Sequence, residues 1–331
     1  MYLLIYFVLV KFSFTEVAFK KYRKVLCLFA GTLLFLFAAL RGPDTGADYN
    51  NYSRLYYNFS GMSFEEKINL LFSLTTGGPG FAKYLEPGYL IINYVGAFLK
   101  QDSLFLFIFF AFFAVLIKIK FIYRYSYLAL LSILLYFVHL YLHTEMIQIR
   151  GGLASAILLY SISYIASREF FKFFLVVCLA ATIHKFSMIV LPIYFLYSER
   201  FYKNHFYFYV AFIICFTSIF INPSKLLYII FSGTFPLFDI YYLWERYNFS
   251  LGYFNPMFIK QLVVFCLLYR IRNLLFENYG NFYKGALFFY FISTCWLFIF
   301  RDFATLGARG GSFFNFMDFI ILPSIILISS A

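Results

Sequence analysis

The sequence predicts an all-α fold, a polytopic membrane bundle of about eleven transmembrane helices plus one short re-entrant or interfacial helix. Three observations predict it. Of 331 residues, 63% are hydrophobic and only 13% charged, and the mean hydropathy is positive, a balance that water-soluble domains do not carry. Apolar runs recur along the whole chain, separated by short polar joints. The basic residues gather in those joints, as they do in cytoplasmic membrane loops. The formal charge of +12 therefore reports topology, and no nucleic-acid partner is expected.

A helix needs about 20 apolar residues to cross a bilayer, fewer where protein covers its ends. The candidate runs are 1–10, 25–40, 103–117, 127–142, 151–166, 172–183, 186–197, 206–221, 256–269, 285–300 and 312–330. Basic residues follow the first run instead of preceding it, and no small-residue cleavage site appears. It is expected to be a span, not a cleaved signal. A further run, 86–99, is short and is opened by Pro87 and Gly88.

Loop charge decides how that short run is read. The basic clusters are Lys11 with Lys20, Lys21, Arg23 and Lys24; Lys118, Lys120 and Arg124; Arg168 and Lys172; Arg200 and Lys203; and Arg270, Arg272 and Lys284. If 86–99 crossed the bilayer, the cluster at 118–124 would face away from the first. If it is re-entrant or lies on the surface, all clusters share the cytoplasmic side. The second arrangement is preferred and places the N-terminus outside and the C-terminus inside. The chain is then one multi-span domain, 1–331, with long outer loops at 41–102 and 222–255. No internal repeat marks an inverted-repeat transporter. The five cysteines lie in apolar runs with no CxxC pair, so neither a disulfide framework nor a zinc site is expected. No metal-ligand spacing appears around the histidines, and no cofactor is expected.

By this topology Arg41, Asp44, Asp48, Glu86, His143, Glu145, Arg150, His184, Arg246, Asp302 and Arg309 lie at or near the outer surface. Asp44 and Asp48, followed by Tyr49 and Tyr52, would share a helix face after the turn at Gly42 and Pro43. Near an apolar wall, such a carboxylate can take a proton from an attacking hydroxyl; the plain alternative is a helix cap. Tyrosines beside carboxylates suit sugars, whose C–H faces pack on rings. Arg150 opens an apolar run and is followed by Gly151 and Gly152, small residues that allow close helix approach. A boundary arginine either snorkels to headgroups or meets an anion such as a diphosphate; the small neighbours favour a packed interior, where a forked grip works. Arg309 repeats the pattern before the last run. His184 stands between two short apolar runs, as a base or as a hydrogen-bonded helix-end histidine.

Arg41 with Asp44, Asp48 and Tyr49, the Glu86-Pro87-Gly88-Tyr89 element, Arg150 opening IRGGLASAILLY, His184 in IHKFSMIVLP, and Arg309 before the last run together resemble the EpsG family, which groups with Wzy-type polymerases of bacterial surface polysaccharide. The resemblance covers most of the chain, from about residue 28 to 327. It implies an inner-membrane glycosyltransferase with its active site facing outward, acting on undecaprenyl-diphosphate-linked oligosaccharide. Such an enzyme passes the growing glycan from its lipid diphosphate to a hydroxyl of the next unit, in capsule, O-antigen or exopolysaccharide synthesis. A chain-length regulator is a further partner of such enzymes. The chemistry asks the protein to neutralise a departing diphosphate and orient the acceptor. Arg150 and Arg309 would hold the diphosphate, Glu86 would orient hydroxyls or the base, and Arg41, Tyr49 and Tyr52 would line the substrate. Asp44, Asp48 or His184 would be the base, with a carboxylate favoured because two arginines beside it resist its protonation. A flippase or exporter of the same glycan, and a membrane acyltransferase, are the alternatives. A transporter would spread charge deep along several spans, whereas here it crowds one face.

Overall fold

The computed structural model describes residues 1–16, 20–72 apart from Asp44 and Ala47, 85–200, 205–222 and 255–330, with positions 225, 226, 229, 230, 250 and 252 in the interval before the last segment. No strand occurs among them, and the fold is all-α. Five helical stretches are long and apolar enough to cross a membrane: Lys20–Ala39, Leu104–Tyr125, Ala129–Ile147, Ile149–Ala166 and Arg272–Ile299. Shorter apolar helices, Tyr2–Thr15, Phe170–Ile183, Lys185–Leu196 and Phe208–Ser218, take up four more of the runs. Among the described residues, length and composition thus mark five spans, fewer than the eleven or so runs counted over the whole chain. The chain divides into two compact units, 1–161 with 171–191, and 162–170 with 192–331.

The first unit holds α1 (Tyr2–Thr15), α2 (Arg23–Ala39), α3 (Tyr49–Ser60), α4 (Phe64–Phe72), α5 (Pro87–Phe98), α6 (Leu104–Tyr125) and α7 (Ala129–Tyr136), which continues as a π-helix over Phe137–Ile147. Most of α8 (Ile149–Ala166) and α9 (Phe170–Ile183) follows, then a 3-10 turn, Lys185–Val190. The π-helix places residues five apart over one another. Tyr136 and Tyr141, both fully buried, meet edge to face at 5.6 Å.

Glu16 ties the basic end of this unit together. Its carboxylate accepts from the backbone N–H groups of Ala129 at 2.6 Å and Leu130 at 2.8 Å, satisfying donors that the first turn of α7 leaves orphaned. Arg23 stands 3.5 Å from the same carboxylate and donates to the Ser126 carbonyl at 2.7 Å. Much of the expected outer loop 41–102 is helical. There α3, α4 and α5 bury Phe59, Leu70 and Leu90 against one another, with Met62, Leu85 and Tyr94 at the edge. Ser63 and Glu66 start α4 as a reciprocal cap: the Ser63 N–H donates to Glu66 at 2.7 Å and the Glu66 N–H to the Ser63 hydroxyl at 3.2 Å. The other expected loop, 222–255, lies almost wholly outside the described residues.

The second unit holds α10 (Ile193–Leu196), α11 (Phe206–Phe220), α12 (Pro256–Arg270), α13 (Arg272–Ile299), α14 (Ala304–Phe314), α15 (Asp318–Ile321) and a 3-10 stretch, Leu322–Ser330. Gly280, at φ 55° and ψ −135°, breaks α13, a backbone shape that glycine reaches without strain. The glycines after Arg309 serve packing: a Cβ on Gly310 would come within 2.1 Å of the Trp296 ring, and one on Gly311 within 2.9 Å of Leu297.

Candidate functional site

Glu86 is the residue around which the site is built. It precedes Pro87 and is therefore extended (φ −81°, ψ 147°), with Pro87 opening α5. Its side chain makes no bond to its own helix and reaches across to other elements. One oxygen pairs with the Arg150 guanidinium at the start of α8. The other accepts from the Lys185 N–H at 3.2 Å and lies 3.6 Å from His184 Nδ1. Gly88 makes this approach possible, because a Cβ there would stand 2.8 Å from both the carbonyl and hydroxyl oxygens of Thr182, at the end of α9.

His184 caps the 3-10 turn, and the Phe186 N–H lies 3.4 Å from its Nδ1. That contact suits the ring form with its proton on Nε2, while the neighbouring Glu86 oxygen suits a proton on Nδ1. Gly151 packs on the same imidazole, its Cβ position 3.4 Å from Cδ2.

Aromatic rings surround Arg150: the guanidinium lies 5.2 Å from the Tyr89 ring centre and 5.7 Å from that of Tyr52. Burial raises the Tyr52 phenol above its ordinary pKa and Arg150 opposes that shift, so the hydroxyl stays neutral and able to donate at physiological pH. Tyr52 also feels the charges of Asp48 and Arg41.

Arg41 is buried, stacks 4.3 Å from the Phe107 ring centre, and donates to the backbone carbonyl of Glu145. Burial lowers its pKa to about 10, opposed by Tyr141, Tyr52, Tyr49 and Glu145, so it remains a cation at neutral pH. Tyr49 stacks on the same Phe107 ring at 4.4 Å. In both Arg41 and Arg150 the buried Nε has no hydrogen-bond partner among the described residues.

The remaining expected residues are placed as follows. Asp48 is partly buried at the cap position of α3, but its side chain makes no cap bond; it accepts from Asn51 at 3.4 Å. Asp44 lies outside the described residues. Arg309 belongs to the second unit and is exposed on α14.

Two buried clusters escape a reading by loop charge. Lys118, grouped above with the cytoplasmic clusters, is inside α6, 1% exposed, and its ammonium lies 2.5 Å from Glu145. The signal was its setting, with apolar residues on both sides. In the second unit Asp318, fully buried, pairs with Lys260 at 2.9 Å and accepts from Asn315 at 2.9 Å, while Asn315 also donates to Gln261 at 3.3 Å. These four polar residues lie within or beside apolar runs that give no hint of the pairing. Among the described residues no group of three or more His, Cys, Asp or Glu is placed to hold a metal.

Comparison with known proteins adds the following. The sequence model of the EpsG family matches residues 24–330. The chain is similar to the amylovoran biosynthesis protein AmsC of Erwinia amylovora, with 24% identity over 174 residues, 51% of this chain and 44% of that protein. The chain thus matches less than half the length of that curated relative. No solved structure matches it.

Proposed function

The chain belongs to the EpsG family, and from that premise we propose that it polymerises lipid-linked oligosaccharide repeats at the outer face of the bacterial inner membrane. The observation that carries this reading is the pair Arg41 and Arg150. Both act on Tyr52, and each keeps a buried guanidinium donor without a protein acceptor. Buried donors without partners are costly, and a diphosphate supplies several acceptor oxygens in the geometry guanidinium forks fit. In this reading the second arginine on the diphosphate is Arg41, from the same unit, in place of Arg309.

The transfer needs no nucleotide, because the bond between sugar and diphosphate already stores the energy. The acceptor hydroxyl oxygen bonds to the anomeric carbon of the growing glycan, the bond from that carbon to the diphosphate oxygen breaks, and undecaprenyl diphosphate leaves with the bonding electrons. Arg41, Arg150 and the Tyr52 hydroxyl stabilise the departing charge. The hydroxyl proton passes to His184 in the ring form whose Nδ1 proton faces Glu86, 3.6 Å away, and gives up the Phe186 contact, so that Nε2 is the basic nitrogen. His184 takes this role in preference to a carboxylate because it adjoins Glu86, whose other oxygen holds Arg150. Asp48 is the second reading: its carboxylate is not occupied as a cap, and its charge acts on Tyr52. Tyr49, half-buried, supplies a ring face for sugar.

Deletion of the gene followed by sizing of lipid-linked glycan tests the function. Single repeats on the carrier at the outer face support a polymerase. The same intermediate trapped inside supports a flippase, and unchanged polymer contradicts both.

A further inference from the structure

The Lys118–Glu145 pair has no part in the chemistry just described, yet both side chains are buried within apolar helices, at 1% and 2% exposure. Taking two charges out of water costs at least as much as their attraction returns, and an apolar pair of similar volume is often as stable. In a membrane span that cost points to a role other than stability. The contacts around Glu145 show what depends on its place. It lies in the last turn of the π-helix, where carbonyls run out of helical partners, and its carbonyl accepts from Arg41. Its carboxylate takes the Thr144 hydroxyl as well as Lys118.

Two backbone contacts on the same turn leave no slack. Gly46, two residues before Asp48, lies so near the Met146 carbonyl that a Cβ would come within 2.6 Å of its oxygen. Gly152, two residues after Arg150, lies so near the Thr144 carbonyl that a Cβ would come within 2.7 Å of its oxygen and 3.4 Å of the Glu145 carboxylate. The end of the π-helix is therefore the platform on which Arg41, the Asp48 loop and the Arg150 helix all rest. A π-helix is a less regular support than an α-helix, and Lys118 ties its end to the 22-residue helix α6.

We propose that Lys118 and Glu145 are positioning residues, pinning the last turn of the π-helix to α6 so that Arg41 and Arg150 are held in place for one diphosphate. The proposal rests on the polymerase reading for its effect on rate. It does not rest on that reading for the pinning itself.

The test is the double variant Lys118→Met/Glu145→Leu, which replaces the ion pair by apolar volume. Purified protein at wild-type thermal midpoint should show backbone amide exchange over residues 144–152 faster by about tenfold or more, without any substrate present. Its polymerisation rate at saturating lipid-linked repeat should fall on the order of 10²-fold, since small misplacements of a catalytic group carry such costs, with KM moving far less. If the double variant does not accumulate, Glu145→Asp, which keeps the charge and shortens the reach by one methylene, decides the matter by the same two readouts. Wild-type exchange, or faster exchange at undiminished rate, overturns the proposal. A wild-type protein that polymerises nothing would sink the polymerase reading instead, and the exchange measurement would still decide the pinning.

Discussion

Glu86 and Arg150, 64 residues apart in sequence, meet as an ion pair at the junction of α5 and α8, and the second oxygen of that carboxylate faces His184. The pair sets the orientation of the guanidinium without using all of its donors. Replacing Arg150 by Lys keeps the charge but removes the planar fork. The expected loss in polymerisation rate is roughly 10²-fold, as for removal of one preorganised donor to developing charge. Glycan sizing at matched protein level checks it, and normal polymer would mean that the planar fork of Arg150 takes no part in the transfer.

Gly88 gives a test with an internal control. Gly88→Ala puts a methyl 2.8 Å from two oxygens of Thr182, which must push α5 away from α9 at a cost of about 1–3 kcal/mol and carry Glu86 off His184. Gly42→Ala meets nothing within 4 Å. Thermal midpoint and activity should fall together in the first variant and stay near wild type in the second.

The two base assignments separate by substitution. With His184 as base, His184→Gln should lose roughly 10²-fold in rate while still binding lipid-linked substrate, and Asp48→Asn should polymerise nearly normally. The reverse pattern would assign the proton to Asp48. Because the Asp48 side chain makes no cap bond, Asp48→Ala should leave protein abundance close to that of Asp48→Asn.

The sequence marked the polar residues of this site because each interrupts an apolar run: Arg41, Glu86, Arg150 and His184 are conspicuous for their cost in a membrane. Which of them meet was not legible. The contact of Glu86 with Lys185 spans 99 residues and is set by packing at Gly88, which the sequence shows only as a turn residue. Lys118 was misplaced because counting loop charge treats any lysine near a run's end as a loop residue, and its partner Glu145 becomes visible only when α6 and the π-helix lie side by side. The π-helix itself leaves no trace, since its 11 residues, FVHLYLHTEMI, hold no spacing that separates a π-turn from an α-turn.

Orientation is checked by impermeant thiol labelling of intact cells. Asn50 and Lys24 are both exposed, and the apolar part of the candidate span Lys20–Ala39, from Val25 on, lies between them. A cysteine at Asn50 should label from outside and one at Lys24 should not. The opposite result would turn the Glu86 site to the cytoplasm.

Reconstitution tests the central claim most directly. Purified protein in liposomes, supplied with lipid-linked single repeats and no nucleotide, should produce a ladder of lipid-linked glycans two, three and more repeats long, with undecaprenyl diphosphate released in step with each bond formed. Repeats that stay single, whether or not they cross the bilayer, would contradict it.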